Sequence, residues 1–152
     1  MSADAALGLY QGFLRGWNDR NAARIRALFA TDAHIVGFDG SAVDGAANIE
    51  AHLAEIFAHH QTAAYVGIVR EARLIAPGAA LLRAAVGMVP PGGSDINPAV
   101  NAVQSLVAVD GGSGWRIVLL HTTPAAFHGR PEAAEALSAE LRVAARAQGL
   151  IP

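Results

Sequence analysis

A histidine follows a run of apolar residues in the segment GWRIVLLHTT, at residues 114–123. In a regular strand, His121 shares one face with Trp115, Ile117 and Leu119. If that face lines a cavity, the apolar surroundings favour a neutral imidazole that acts as a general base or as a hydrogen-bond donor. Two alternatives are contact with a ligand without chemistry, and a structural bond to a backbone carbonyl or across a subunit contact. His121 is therefore a candidate for catalysis and for ligand binding.

A second histidine, His34, lies near the start of an earlier predicted strand, AHIVGF. Asp32 precedes it by two residues, so the two side chains share a face and would suit an acid–base pair. Asp32 also follows Thr31 at a junction between helix and strand, where a carboxylate commonly binds local backbone N–H groups. We favour that structural role for Asp32 and retain His34 as a candidate base and ligand contact.

The remaining histidines do not predict a metal site. His52 and His59 are seven residues apart on one predicted helix, and no nearby carboxylate completes a coordination shell. The sequence has no cysteine, which excludes thiolate catalysis, disulfides and Cys-based zinc sites. All 11 basic residues are arginines, which excludes Schiff-base catalysis by lysine. We expect neither a metal nor a cofactor.

Two further polar sites interrupt apolar strands. Arg83, in ALLRAAVGM, needs a carboxylate, which Glu71 or Glu55 would supply. In AVNAVQSLVAV, Asn101 lies on one face of the strand and Gln104 on the other. One of these faces would present neutral hydrogen-bonding groups to a ligand that carries a hydroxyl or carbonyl.

The spacing of apolar residues along the sequence indicates which of these candidates lie on helices and which lie on strands. Three helices are predicted in the N-terminal half: one with an apolar stripe from Leu7 to Trp17, a short one ending at Phe29, and one from Ile49 to His60. The segments YVGIVREARLIA, ALLRAAVGMV, AVNAVQSLVAV and GWRIVLLHTT follow as four strands. Their short connections, rich in Gly and Pro, make them antiparallel neighbours. A C-terminal helix covers about 130–149. This order predicts the α+β class and one domain over 1–152.

Charge and composition limit the partners of this domain. The formal net charge of −2 argues against nucleic acid and anionic membranes, which need a basic surface. MSADAALGLY lacks the features of a signal peptide, and no apolar run has the length of a membrane span. We therefore expect a cytoplasmic protein. Because the last strands are apolar on both faces, we also expect a second subunit to cover the outer face of the sheet.

Three segments carry a resemblance to a known superfamily: GWNDRNAARIRALFATDAHIV, GSAVDGAANIEAHLAEIF and GWRIVLLHTTP. From about residue 5 to 123 the chain resembles the nuclear transport factor 2-like superfamily in its SnoaL-like branch, and is most similar to the SgcJ/EcaC-type group. The resemblance implies a curved antiparallel sheet that closes with the helices into a cone around an apolar pocket. It also implies a homodimer through the outer sheet face. The superfamily contains isomerases, cyclases, hydrolases and dehydratases.

From the resemblance and the residues we predict a bacterial protein that binds a small hydrophobic metabolite, polyketide- or terpenoid-like, in an apolar cone. Two alternatives stay open: a cofactor-free isomerase, cyclase or hydrolase with His121 or His34 as base, and a structural or partner-binding dimer with a filled core. The predicted ligand contacts are Trp17, Phe29, His34, Phe57, Met88, Asn101, Trp115 and His121.

Overall fold

The structure is a computed structural model that describes residues 3–152. The elements are α1 (Asp4–Asn18), α2 (Ala22–Arg26), β1 (Phe29–Val36), β2 (Ala42–Asp44), α3 (Ala46–His59), β3 (Ala64–Ala76), β4 (Ala79–Val89), a short 3-10 helix (Pro98–Val100), β5 (Ala102–Asp110), β6 (Trp115–Pro124) and α4 (Pro131–Ala147). The strands form one sheet in the order β2-β1-β6-β5-β4-β3. The α+β class, the antiparallel meander β3–β6 and the C-terminal helix are as predicted.

The helices of the N-terminal half cover the inner face of the sheet. One side of α1 is buried at Tyr10 and Phe13, and one side of α3 at Ile49 and Leu53, as expected for amphipathic helices on a sheet. Gly45 precedes α3 with a φ of 90°, a conformation that suits glycine. These side chains and the inward-facing strand residues form the main core. No helix within residues 3–152 is long and apolar enough to cross a membrane.

The first two strands differ from the sequence prediction. Phe29, predicted at the end of the second helix, begins β1 because it pairs with Ile117 of β6 in a parallel ladder. The segment DGSAVDG, predicted as a turn, contains the three-residue strand β2, whose residue Val43 pairs with Ile35. The sheet is therefore mixed rather than wholly antiparallel. So short a strand has no periodicity of its own from which it could be predicted.

An irregularity in β6 decides which face its side chains take. Leu119 pairs with Val107 of β5, whereas Ile117 pairs with the next residue of β5, Ala108, so that Val118 is an extra residue in β6. An extra residue in one strand reverses the alternation beyond it. The prediction that Ile117, Leu119 and His121 share a face is therefore wrong.

The C-terminal helix α4 packs on the outer face of the sheet. Leu137 and Leu141 of α4 join Val66 and Ala85 of the sheet in a second, smaller core. Gly87 permits this close approach, because a Cβ there would lie 3.0 Å from Leu141 Cδ1. The sequence predicted a second subunit as the cover of this face. Over the β3–β4 part of the sheet the cover is a helix of the same chain.

Arg83 lies on the outer face of β4, in the part that α4 leaves open. Its Nε donates to Glu71 Oε1 at 3.2 Å, across the β3–β4 pair. Hydrogen bonding by Arg83 is the main reason that the pKa of Glu71 lies below its usual range. The predicted ion pair is confirmed, with Glu71 as the partner.

Candidate functional site

A cavity of about 450 Å³ lies between the inner face of the sheet, α1, α3 and the turn from β1 to β2. This volume falls in the range of roughly 300–1,000 Å³ that is usual for small-molecule sites. The apolar lining consists of Phe13, Trp17, Ile35, Val36, Phe38, Val43, Ile49, Leu53, Ile56, Met88 and Leu120. The polar lining consists of Asp39, Ser41, His52, Tyr65 and Thr122.

Two of the predicted ligand contacts line this cavity, Trp17 and Met88. The Trp17 ring packs against Tyr65 with 5.0 Å between ring centroids. Its indole N–H donates to the carbonyl of Ala63 at 2.9 Å. Because that donor is occupied, Trp17 offers the cavity an apolar surface only.

The other predicted aromatic contacts belong to the surrounding core. Phe29 is buried with its ring centroid 6.4 Å from that of Phe13. Phe57 packs against the ring of Trp17 at 5.3 Å. Trp115 is half-buried at the start of β6. None of the three lines the cavity.

Asn101 lies on the other side of the sheet, beneath α4. It is 4% exposed, and its Nδ2 donates to Ser138 Oγ of α4 at 3.0 Å. Its Oδ1 has no hydrogen-bond partner among residues 3–152. Asn101 therefore contacts the C-terminal helix and not the cavity.

Both predicted bases lie on the outer face of the sheet. The side chain of His34 is 55% exposed, and its Nδ1 lies 2.7 Å from Asp44 Oδ1. The backbone of His121 pairs with that of Ser105 of β5. Its side chain is exposed, because the bulge at Val118 turns it away from the core. The structure does not bring either ring to the cavity.

The sequence analysis missed the polar group on the sheet side of the cavity. Thr122 of β6 lines the cavity and pairs with Gln104 of β5. Tyr10 Oη donates to Gln104 Oε1 at 2.7 Å, and Gln104 Nε2 donates to Thr122 Oγ1 at 3.1 Å. Burial raises the pKa of Tyr10 far above its ordinary value, so its hydroxyl remains protonated. The alternation in AVNAVQSLVAV placed Gln104 opposite Asn101, but it does not say which face is inner.

Tyr65 brings a second hydroxyl to the cavity. Its backbone is fixed by Asn18, whose Oδ1 accepts from Tyr65 N at 2.7 Å and whose Nδ2 donates to Tyr65 O at 3.0 Å. Burial raises the pKa of Tyr65 to about 12. Within residues 3–152 the Tyr65 hydroxyl has no hydrogen-bond partner. It is a neutral group available to a ligand.

The exposed rim of the cavity carries its ionisable groups. Asp39, in the β1–β2 turn, accepts from Ser41 N at 2.9 Å and from Ser41 Oγ at 3.0 Å. These bonds from Ser41 hold the pKa of Asp39 below its usual range, with a smaller contribution from the charge of His52. The rim therefore carries a carboxylate at neutral pH. In the described part of the chain, no three acidic or histidine side chains are grouped so that they could hold a metal ion.

No family model and no curated protein sequence matches this chain. Its fold is nevertheless shared with solved structures. A domain of unknown function with a cystatin-like fold from Nostoc punctiforme is 20% identical, with a TM-score of 0.78 over 95% of this chain and 90% of that one. An NTF-2 like protein of unknown function from Shewanella oneidensis is 14% identical, with a TM-score of 0.61 over 79% of this chain and 97% of that one. The chain has a nuclear transport factor 2-like fold.

An uncharacterized protein with a cystatin-like fold from Caulobacter vibrioides is also similar. It is 26% identical, with a TM-score of 0.69 over 88% of this chain and 93% of that one. In this fold the helices α1 and α3 cover the inner face of the sheet, and the cavity lies between them and that face. Fold alone does not assign an activity.

Proposed function

We propose that this protein binds a small hydrophobic metabolite, polyketide- or terpenoid-like, in the cavity, as a member of the SgcJ/EcaC-type group of SnoaL-like proteins. The observation that carries the proposal is the cavity itself, whose volume of about 450 Å³ is enclosed largely by aromatic and aliphatic side chains. Apolar walls with a few polar groups are typical of ligand sites. A dimer with a filled core, the structural alternative, has no need of such a space.

Native mass spectrometry of the protein purified from its own host tests the proposal. We expect a mass above that of the 152-residue chain, which returns to the chain mass when the protein is denatured. Extraction and fragmentation then identify the bound molecule. A cavity that is empty after purification and that binds no compound from an apolar extract of the host would contradict the proposal.

A pair of tryptophan substitutions locates the binding. Ile56 lines the cavity from α3, so Ile56→Trp fills part of the space and should reduce ligand occupancy by at least about tenfold. The matched control is Val143→Trp on α4, where the side chain is 66% exposed and remote from the cavity. Equal occupancy in the two variants would place the ligand elsewhere.

We propose a cofactor-free isomerase, cyclase or hydrolase as the second candidate. It is favoured by one observation: an imidazole, that of His52, lines the cavity rim together with the ionised Asp39. His34 and His121, the bases predicted from the sequence, would need a ligand that reaches the outer face. If the recovered metabolite is turned over, His52→Asn should lower kcat by about 10²-fold or more, and His121→Asn should leave it unchanged.

We further propose a homodimer through the part of the outer sheet face that α4 leaves open. Val103 of β5 is 44% exposed at the border with α4. Farther along the same face, Val107 and its pairing partner Leu119 are only half-buried. Sedimentation velocity at micromolar concentration should show a dimer that Val103→Asp converts to monomer, because a carboxylate in that face opposes its burial. Val143→Asp on α4 is the control that should remain dimeric, and a monomeric wild type would refute the proposal.

A further inference from the structure

A chain of hydrogen bonds connects the buried interior to the cavity. Gln104 is 2% exposed, in the middle of the inner sheet face. A buried amide needs partners for its oxygen and its nitrogen, and Gln104 has Tyr10 on one side and Thr122 on the other. Only the last member of this chain, Thr122, lines the cavity.

The chemistry of Tyr10 fixes the direction of these hydrogen bonds. Its hydroxyl is protonated and buried, so its proton needs an acceptor, and Gln104 Oε1 is at 2.7 Å. If the amide were turned round, the hydroxyl of Tyr10 would face an NH2 group and its proton would have no acceptor. The amide of Gln104 must therefore point its nitrogen towards Thr122.

This orientation leaves Thr122 as a donor. Thr122 Oγ1 accepts from Gln104 Nε2 at 3.1 Å, so its own proton is free for a group in the cavity. Tyr65, whose hydroxyl is also protonated at neutral pH, lines the same cavity. Two neutral hydroxyls are thus available on the sheet side of an otherwise apolar space.

The charges around the cavity select the class of ligand. Within the described residues the lining contains no arginine, and its rim carries the Asp39 carboxylate. An anionic ligand would meet that carboxylate and would find no guanidinium partner. The oxygen that a neutral Thr122 hydroxyl favours is therefore an uncharged acceptor, such as a ketone, an ester carbonyl or an ether.

We propose that Thr122 is the specificity-determining residue of the cavity, that it donates to a carbonyl oxygen of a neutral, apolar ligand, and that Tyr10 and Gln104 are positioning residues that hold it as a donor. This inference rests on the proposed ligand binding and names the ligand class. It concerns binding and requires no chemical step.

Two probes of nearly equal shape separate this inference from the proposed function. The ketone 2-acetylnaphthalene carries the acceptor, and the hydrocarbon 2-ethylnaphthalene does not. Titration calorimetry gives Kd for each with wild-type protein and with Thr122→Val. We expect the substitution to weaken the ketone about fivefold, the fold-change expected for one net hydrogen bond, and to change the hydrocarbon less than about twofold. Thr122→Ser keeps the hydroxyl and should restore the affinity for the ketone.

The infrared carbonyl stretch of the bound ketone gives a readout that needs no variant. In wild-type protein we expect a lower frequency than in hexane, because a hydrogen bond weakens the C=O bond. Tyr10→Phe frees the Gln104 amide to turn and to accept the Thr122 proton. The stretch should then return towards its value in hexane, although Tyr10 does not line the cavity. The double variant Tyr10→Phe/Thr122→Val should bind the ketone no more weakly than either single variant, because both substitutions remove the same hydrogen bond.

The outcomes are distinct. If both probes bind and Thr122→Val weakens them equally, the assignment of Thr122 is wrong while the proposed function stands. If Tyr65→Phe, and not Thr122→Val, removes the preference for the ketone, the donor is Tyr65 and the assignment is again wrong. If neither probe binds wild-type protein, the inferred ligand class is wrong, whereas the proposed function stands or fails on the native mass spectrometry described above.

Discussion

Gln104 and Asn101 are two buried amides, three residues apart, that the strand directs to opposite faces of the sheet. On the inner face, both polar atoms of Gln104 have partners, Tyr10 and Thr122. On the outer face, Asn101 donates to Ser138, and its Oδ1 has no partner within residues 3–152. Both polar atoms of the amide therefore have hydrogen-bond partners beside the cavity, whereas only the nitrogen has one beneath α4.

The difference shows what each face of the sheet is built to do. Buried polar groups are costly unless they are paired, and on the inner face the hydrogen bonds of Gln104 pair both of its polar atoms and end at Thr122 in the cavity wall. An amide with one unused acceptor at a helix contact contributes to docking α4 and little else. The apolar packing is distributed the other way. Leu141 of α4 is fully buried, whereas the inner face is interrupted by the cavity.

The largest expected effect tests this contrast in packing. Leu141 is fully buried, so Leu141→Ala should lower the free energy of unfolding by about 3 kcal/mol, through lost burial and the space left behind. Ile56 already faces the cavity, so Ile56→Ala should cost less than about 1 kcal/mol. Urea unfolding monitored by circular dichroism measures both. Similar losses at the two sites would mean that the cavity wall is packed as tightly as the α4 contact.

The sequence predicts the long elements of the fold but not the faces of every strand. Helices and the four-strand meander follow from periodicities that run over ten residues or more, as in ALLRAAVGMV and EALSAELRVAARA. The faces of β6 do not follow, because the extra residue Val118 lies inside an unbroken apolar run and leaves no mark in the sequence. That single residue moved His121 from the predicted inner face to the outer one.

The candidate site was only partly predictable for a related reason. Trp17 follows from the apolar stripe of α1, and Met88 follows from the apolar character of β4. Thr122 follows His121 by one residue. Because neighbouring residues of a strand face opposite sides of the sheet, the extra residue Val118 makes Thr122 the inner residue and His121 the outer one. The partnership of Tyr10 with Gln104 joins residues 94 positions apart, and no local pattern reports such a contact.

The two amides themselves supply the second prediction. Gln104→Leu leaves the Tyr10 hydroxyl buried without an acceptor, so we expect it to lower the free energy of unfolding by about 2 kcal/mol. Asn101→Leu has a similar size, but it removes only one hydrogen bond, from Nδ2 to Ser138 Oγ, and an acceptor that already has no partner, so it should cost only about 1 kcal/mol. Chemical denaturation of the two variants in parallel checks the difference. The comparison is wrong if Asn101→Leu is the more damaging.

The smallest effect concerns the ion pair that holds α4 against β3. Arg70 donates to both carboxylate oxygens of Glu140, at 2.7 and 3.0 Å, and this hydrogen bonding lowers the pKa of Glu140 below its usual range. A carboxyl with a lowered pKa in the folded state stabilises the fold above its ordinary pKa, and the contribution is lost as the pH falls through the lowered value. Both side chains are partly exposed, so Glu140→Gln should cost only about 0.5 kcal/mol at pH 7.

Thermal unfolding at pH 7 and near pH 3 measures this contribution. The difference in Tm between wild type and Glu140→Gln should narrow at the lower pH, because protonation removes from the wild type the charge that the variant lacks. Glu55→Gln is the control for the loss of an exposed carboxylate: Glu55 lies on α3 beyond its first turn, and none of the salt bridges found among residues 3–152 involves it. A difference in Tm for Glu140→Gln that stays constant with pH, or that Glu55→Gln reproduces, would show that the contact with Arg70 does not hold the helix. The attachment of α4 would then rest on the apolar cluster around Leu141, the Asn101–Ser138 hydrogen bond and the Arg142–Asp95 ion pair.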